Sequence, residues 1–223
     1  MGNNPVNRFD PDGGFDWYRN NQTNDVVWID GSAEVDGFTH LSANALDPSV
    51  IGAISSSIQA GGFDKFLEYF NNSRLGSDYF FDLSNTFDFP REGWLASLID
   101  NSLPISDAFH ISEWTHSSIA NGTEANNALE HHIGTFLMTN RWGPGSAGAI
   151  TTANEIRGLI INDRQSGRML DALRGRPGTA FEWKDIGNNI IGGWKYTKWH
   201  FSNYVFNRNA WFNDMPSNAK VLH

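Results

Sequence analysis

The sequence predicts a mainly α-helical domain carrying a short β-hairpin near its N-terminus. Three observations predict it. Two strand-like runs, around Asp16–Arg19 and Val26–Ile29, flank Asn20–Asp25, a stretch of turn-forming residues. From Asp47 onward, apolar residues recur at spacings of three and four, the period of a helix that buries one face. Of the 223 residues, 39% are hydrophobic and 18% charged, a balance that builds a core and argues against wholesale disorder.

The elements follow in chain order. Residues 1–14 read as a linker: Asn3 to Gly13 holds two prolines, an Asp-Pro-Asp-Gly turn and no apolar run. Residues 15–46 form the hairpin segment, to which Gly37–Ser42 adds a third short strand. The helical domain spans 47–223. Asp47-Pro48 is a helix start, with Asp as cap and Pro in the first turn. Ile51, Ile54 and Ile58 then mark one face until Gly61-Gly62 interrupts it. Phe63–Phe70 is a second amphipathic helix, closed by Asn71-Asn72, and Arg91–Asn101 is the best helix within the Asp-, Ser-, Phe- and Pro-rich stretch 73–112. Glu124–Asn140 carries the stripe Leu129, Ile133, Phe136 and Leu137. In Ser146–Ser166 the same logic buries Ile150, Ala153, Ile156, Leu159 and Ile160. Phe181–Lys198 is the last helix, and an aromatic-rich tail runs from Trp194 to Phe212.

Composition excludes some chemistry. Without cysteine there are no disulfides, thiolate nucleophiles or Cys-based zinc sites. No apolar run approaches the ~20 residues that span a bilayer, and no signal peptide is visible at the N-terminus. The net charge of −9 is unevenly spread: residues 1–130 carry 5 basic and 19 acidic side chains, residues 131–223 carry 11 basic and 6 acidic. An acidic chain is a poor non-specific binder of nucleic acid, and no stable nucleic-acid partner is expected. The basic second half suits an anionic substrate.

Three helices carry the candidate chemistry. On the first, Asn127, His131 and Thr135 share a face beside the apolar stripe, and His132 borders the stripe itself. Glu155, on the second, has the small or polar neighbours Thr151, Thr152, Gly158 and Asn162 at helical spacing, which leaves room for a ligand or a closely packed helix. Asp185 on the third has Asn188 and Asn189 three and four residues on. His131, Glu155, Asp185 and Asn188 facing one cavity would form a general acid/base site with an orienting carboxylate. Asn127, Asn189 and Arg157 would then bind substrate. The cofactor is unknown. His131, Glu155 and Asp185 would equally serve a divalent metal ion, if one is present. No HExxH, GxSxG, P-loop or GxGxxG occurs. Glu130-His131-His132 suggests an HNH-type nuclease only superficially, because that histidine belongs on a strand and this pattern is helical.

The opening NNPVNRFDPDGG resembles the end of the core in RHS-repeat proteins, where such a segment precedes a variable toxin, and DWYRNNQTNDVVWIDGSAEVDGFTHLS is similar to what often follows in Bacteroidetes-type members. The resemblance covers about 45 residues and implies that the remainder is an effector or toxin. The region 127–192 resembles a helical toxin domain of unassigned chemistry through Asn127, Ala128 and His131, then Glu155, then Asp185, Asn188, Asn189 and Gly192. It departs at Glu130, where that family has a basic residue, and at Asn154, where it has a histidine.

The resemblance implies an antibacterial effector, secreted or delivered into a target cell by a secretion system or contractile injection system, and countered by a cognate immunity protein. A hydrolase acting on an envelope or lipid substrate is the leading expectation. A nuclease toxin using Arg164, Arg168, Arg174 and Arg176, a non-enzymatic membrane-disrupting effector and a structural cargo protein are the alternatives.

Overall fold

The structure is a computed structural model, and it describes residues 15–30, 34–72, 74–87, 103–120, 124–176 and 181–205. The expected linker 1–14, the helix expected over 91–101 and the aromatic tail beyond 205 lie outside them. The described residues are mainly helical, with one small antiparallel sheet, as the sequence predicts. The chain divides into two compact units, residues 1–137 and 138–223.

In the first unit, strands β1 (Phe15–Asn20), β2 (Val26–Asp30) and β3 (Phe38–Ser42) form a sheet in the order β2-β1-β3. Trp17 faces Trp28 across one ladder, and Tyr18 faces His40 across the other, next to an irregularity in register. The β1–β2 turn is held by Asn20, whose side-chain oxygen accepts from the backbone N–H groups of Gln22 and Thr23 at 2.8 and 3.1 Å. Asn24 takes the left-handed conformation that asparagine tolerates.

Helix α1 (Pro48–Asn71) starts as expected: the Asp47 carboxylate accepts from the Ser49 N–H at 2.9 Å, and Ser49 holds that carboxyl below its ordinary pKa. The glycine pair does not end the helix. The chain kinks at Gly62, whose positive φ of 68° is open to glycine, and helical geometry then resumes. Both parts bury apolar side chains, Ile54 and Ile58 before the kink and Phe63, Phe66 and Phe70 after it. The sheet packs on α1, and Tyr69 ties the two: its hydroxyl accepts from the Val26 N–H and donates to Ser57 Oγ, both at 3.0 Å. Helices α2 (Gly76–Ser84) and α3 (Leu103–Thr115) follow, and α3 runs into a π-helical turn, His116–Ala120. Helix α4 (Glu124–Arg157) begins in this unit and buries the predicted stripe. Phe136 meets Phe66 and Phe70 at ring separations of 5.4 and 5.0 Å, and Phe66 meets Phe80 at 5.1 Å.

The second unit starts within α4. A kink at Gly143, followed by Pro144, separates the two helices expected there, and a π-helical turn, Gly158–Asp163, follows Arg157. Short helix α5 (Met169–Leu173) and helix α6 (Trp183–His200) complete it, α6 ending in the turn Phe201–Val205. Buried Asp163 organises the loops: one carboxylate oxygen accepts from the Phe181 N–H at 2.9 Å, and its carbonyl accepts from the Arg168 N–H at 2.6 Å.

Candidate functional site

The buried face of the second unit is the reverse of the one its periodicity suggests. On α4 and the turn after it, Ala147, Thr151, Glu155 and Gly158 are buried at helical spacing, and Glu155 is only 5% exposed. Ile156 and Ile160, expected inside, stand outside at 45% and 52% exposure. Ala153 is exposed, and Ile150 and Leu159 are half-buried. Helix α6 does the same. Asp185, Asn189 and Gly192, at i, i+4 and i+7, are buried, while Ile190 and Trp194 are more than 60% exposed. Helical spacing states which residues share a face. It is silent on which face turns inward, and small side chains at 147, 151, 158 and 192 permit close approach on the polar side.

The predicted site residues fall as follows. Glu155, Asp185 and Asn189 are buried, Asn188 and Arg157 are half-buried, and all five belong to the second unit. Asp185 and Asn189 are brought one turn apart on the inward face of α6. His131 and Asn127 are half-buried on the part of α4 that belongs to the first unit. Thr135, expected beside them, is buried. The His132 ring stands edge-on to Phe63 at 6.4 Å, packing against the core as its place beside the stripe implies. Among the described residues no group of three or more His, Asp or Glu side chains is placed to hold a metal ion.

Two histidine–carboxylate pairs in the first unit were not foreseen. His116 Nδ1 lies 3.3 Å from the carboxylate of buried Glu130, and His40 Nε2 lies 2.6 Å from that of buried Asp16. In each the imidazole reaches toward solvent while the carboxylate orients it. The pairing of Glu130 was not legible in the sequence, because its partner lies on another helical segment. A cleft of about 590 Å³ was also unforeseen. Ser55, Ser56, Gln59, Thr86, Ser117 and Ser118 supply its polar lining, with no charged side chain. It offers hydrogen bonds to a neutral ligand and holds no acid or base of its own.

No family model, curated protein or solved structure matches this chain.

Proposed function

We propose that the chain is an antibacterial effector of the polymorphic-toxin kind with hydrolase-type chemistry, in which Glu155 and Asp185 are the acid/base carboxyl groups. One observation carries the reading: the second unit buries Glu155, Asp185 and Asn189 while leaving isoleucines and tryptophans in water. Carboxylates are among the side chains least often buried, and they are buried where something partners them. Leaving a large apolar side chain exposed forgoes about 1.5–3 kcal/mol of burial. A unit that turns carboxyl groups inward and large apolar side chains outward departs from the ordinary pattern, and such departures concentrate at functional sites.

In this reading one carboxylate takes a proton from the attacking water and the other carboxyl group, protonated, gives one to the leaving group. The amides of Asn188 and Asn189, with Arg157, hold the substrate's oxygen atoms. The substrate is an envelope or lipid ester or amide. The chain is delivered into the target cell by a secretion or contractile injection apparatus, and a cognate immunity protein blocks it.

The test is expression in bacteria, directed to the periplasm or kept in the cytoplasm, of the parent, Glu155→Gln and Asp185→Asn. Killing by the periplasmic parent alone, lost in both variants with circular dichroism unchanged, is the expected result. Undiminished killing by both variants removes the hydrolytic reading. The exposed apolar side chains favour the second reading, membrane disruption without catalysis, and dye leakage from protein-free liposomes that both variants retain would establish it.

A further inference from the structure

We infer that the uncharged cleft of the first unit is a binding site for a neutral sugar. Its residues all belong to that unit, whereas Glu155 and Asp185 belong to the second, so the inference stands whether or not those two are catalytic.

Three segments build the cleft. Gly52, Ser55, Ser56 and Gln59 of α1 follow one another by three, one and three residues, so they share one helical face. Thr86 and Phe87, just past α2, line a second side. The π-helical turn His116–Ala120 brings Ser117 and Ser118 to the third, and such turns are frequent at functional sites. The Gln59 side-chain amide donates to the Ser118 carbonyl at 2.7 Å and ties α1 to that turn. The cleft's volume, about 590 Å³, falls within the roughly 300–1,000 Å³ of small-molecule sites.

Hydrogen bonding names the ligand. The Ser56 hydroxyl donates to the Gly52 carbonyl at 2.8 Å, Thr86 to the Leu83 carbonyl at 2.7 Å and Ser117 to the Glu113 carboxylate at 3.0 Å. Those protons are committed, and the three oxygens are left to accept. Ser55 is 6% exposed, and its hydroxyl has no hydrogen-bond partner. Buried polar groups are ordinarily satisfied, and serine turns readily about its Cα–Cβ bond, so a ligand seated here completes the missing bond. An anion brings only acceptors and meets no cation in this lining, and a cation meets no carboxylate. A wholly apolar ligand would strip water from the hydroxyls and return no hydrogen bond. A sugar is uncharged and rich in hydroxyl donors. Its C–H faces suit Leu46, Ile51 and Phe87, which supply the apolar part of the lining.

The experiment is saturation-transfer NMR of the full chain with glucose, galactose, mannose and N-acetylglucosamine, with adenosine as a second class of neutral ligand and inorganic phosphate as a competitor. We expect transfer to at least one of the sugars, undisturbed by phosphate. Gly52→Leu fills the cleft without strain, because a Cβ at Gly52 meets nothing within 4 Å and its φ is not positive. It should abolish the transfer with circular dichroism unchanged. Ser55→Ala, which removes only the hydroxyl, should weaken sugar binding about threefold to tenfold. Glu155→Gln should bind like the parent, which separates this inference from the hydrolytic reading. Transfer to none of the four sugars, parental affinity in either cleft variant, or displacement by phosphate would overturn the inference. So would transfer to adenosine alone, because a nucleoside would then own the cleft.

Discussion

Asp25 and Lys65 meet at 2.8 Å where the hairpin turn approaches α1, and each shifts the other's titration. The Lys65 ammonium, helped by the Thr23 and Ser57 hydroxyls, holds the Asp25 carboxyl below its ordinary 3.8 against the opposing effect of burial. Asp25, and after it Glu68, holds Lys65 above its ordinary 10.5. The signs follow by linkage. Asp25 stabilises the fold above its unfolded value, and that contribution fades as pH falls through its folded one. Lys65 stabilises below its unfolded value and loses the contribution as pH rises through its folded one. The pair therefore works across the neutral range. Asp25→Asn should cost about 1 kcal/mol near neutrality, a modest figure because both groups are partly solvated. In urea unfolding the gap between parent and variant should shrink below about pH 4. A gap as large in acid as at neutrality would show that the carboxylate charge contributes nothing.

Elements show where periodicity succeeds and where it fails. On the first stretch of α4 the stripe lies inside, with Phe136 fully buried between aromatic rings of α1. Phe136→Ala should cost about 3–5 kcal/mol through lost burial and the cavity left behind. On α6 the apolar stripe lies outside, and Ile190→Ser should stay within about 0.5 kcal/mol of the parent. The two values come from the same denaturant titration. A cost for Ile190→Ser approaching that of Phe136→Ala would mean that the α6 face is covered. Sequence spacing is equally regular on both helices, so the contrast arises from what packs against them. The glycine pair in α1 teaches a related lesson: Gly62 was legible as a break, yet its positive φ bends the helix and lets it continue.

Across the whole molecule, apolar burial is unequally shared. Among the described residues, the twelve largest fully buried side chains, Trp114, Tyr79 and Phe80 included, all belong to the first unit. The ten large hydrophobic side chains that are exposed among the described residues all belong to the second. The second unit therefore has less hydrophobic stabilisation and should open more readily. Native-state hydrogen exchange should find the slowest amides in α1, α2 and the first stretch of α4, with faster exchange throughout α6. Uniform protection across both units would show one cooperative structure instead.

The sequence by itself determined the helical class, the hairpin with its third strand, the Asp47 cap, the buried stripe on α4 and the residue types available for acid/base work. These are local matters, settled by turn chemistry, capping and the spacing of apolar side chains. Only the tertiary structure decided which face of each helix in the second unit is inside, that Glu155, Asp185 and Asn189 are withdrawn from water, and that His116 meets Glu130. The physical reason is that a repeat of 3.6 residues aligns side chains along a helix but leaves its rotation about its own axis to the partner it packs on. Small residues at 147, 151, 158 and 192 let the polar sides pack inward, and isoleucine and tryptophan were left facing out.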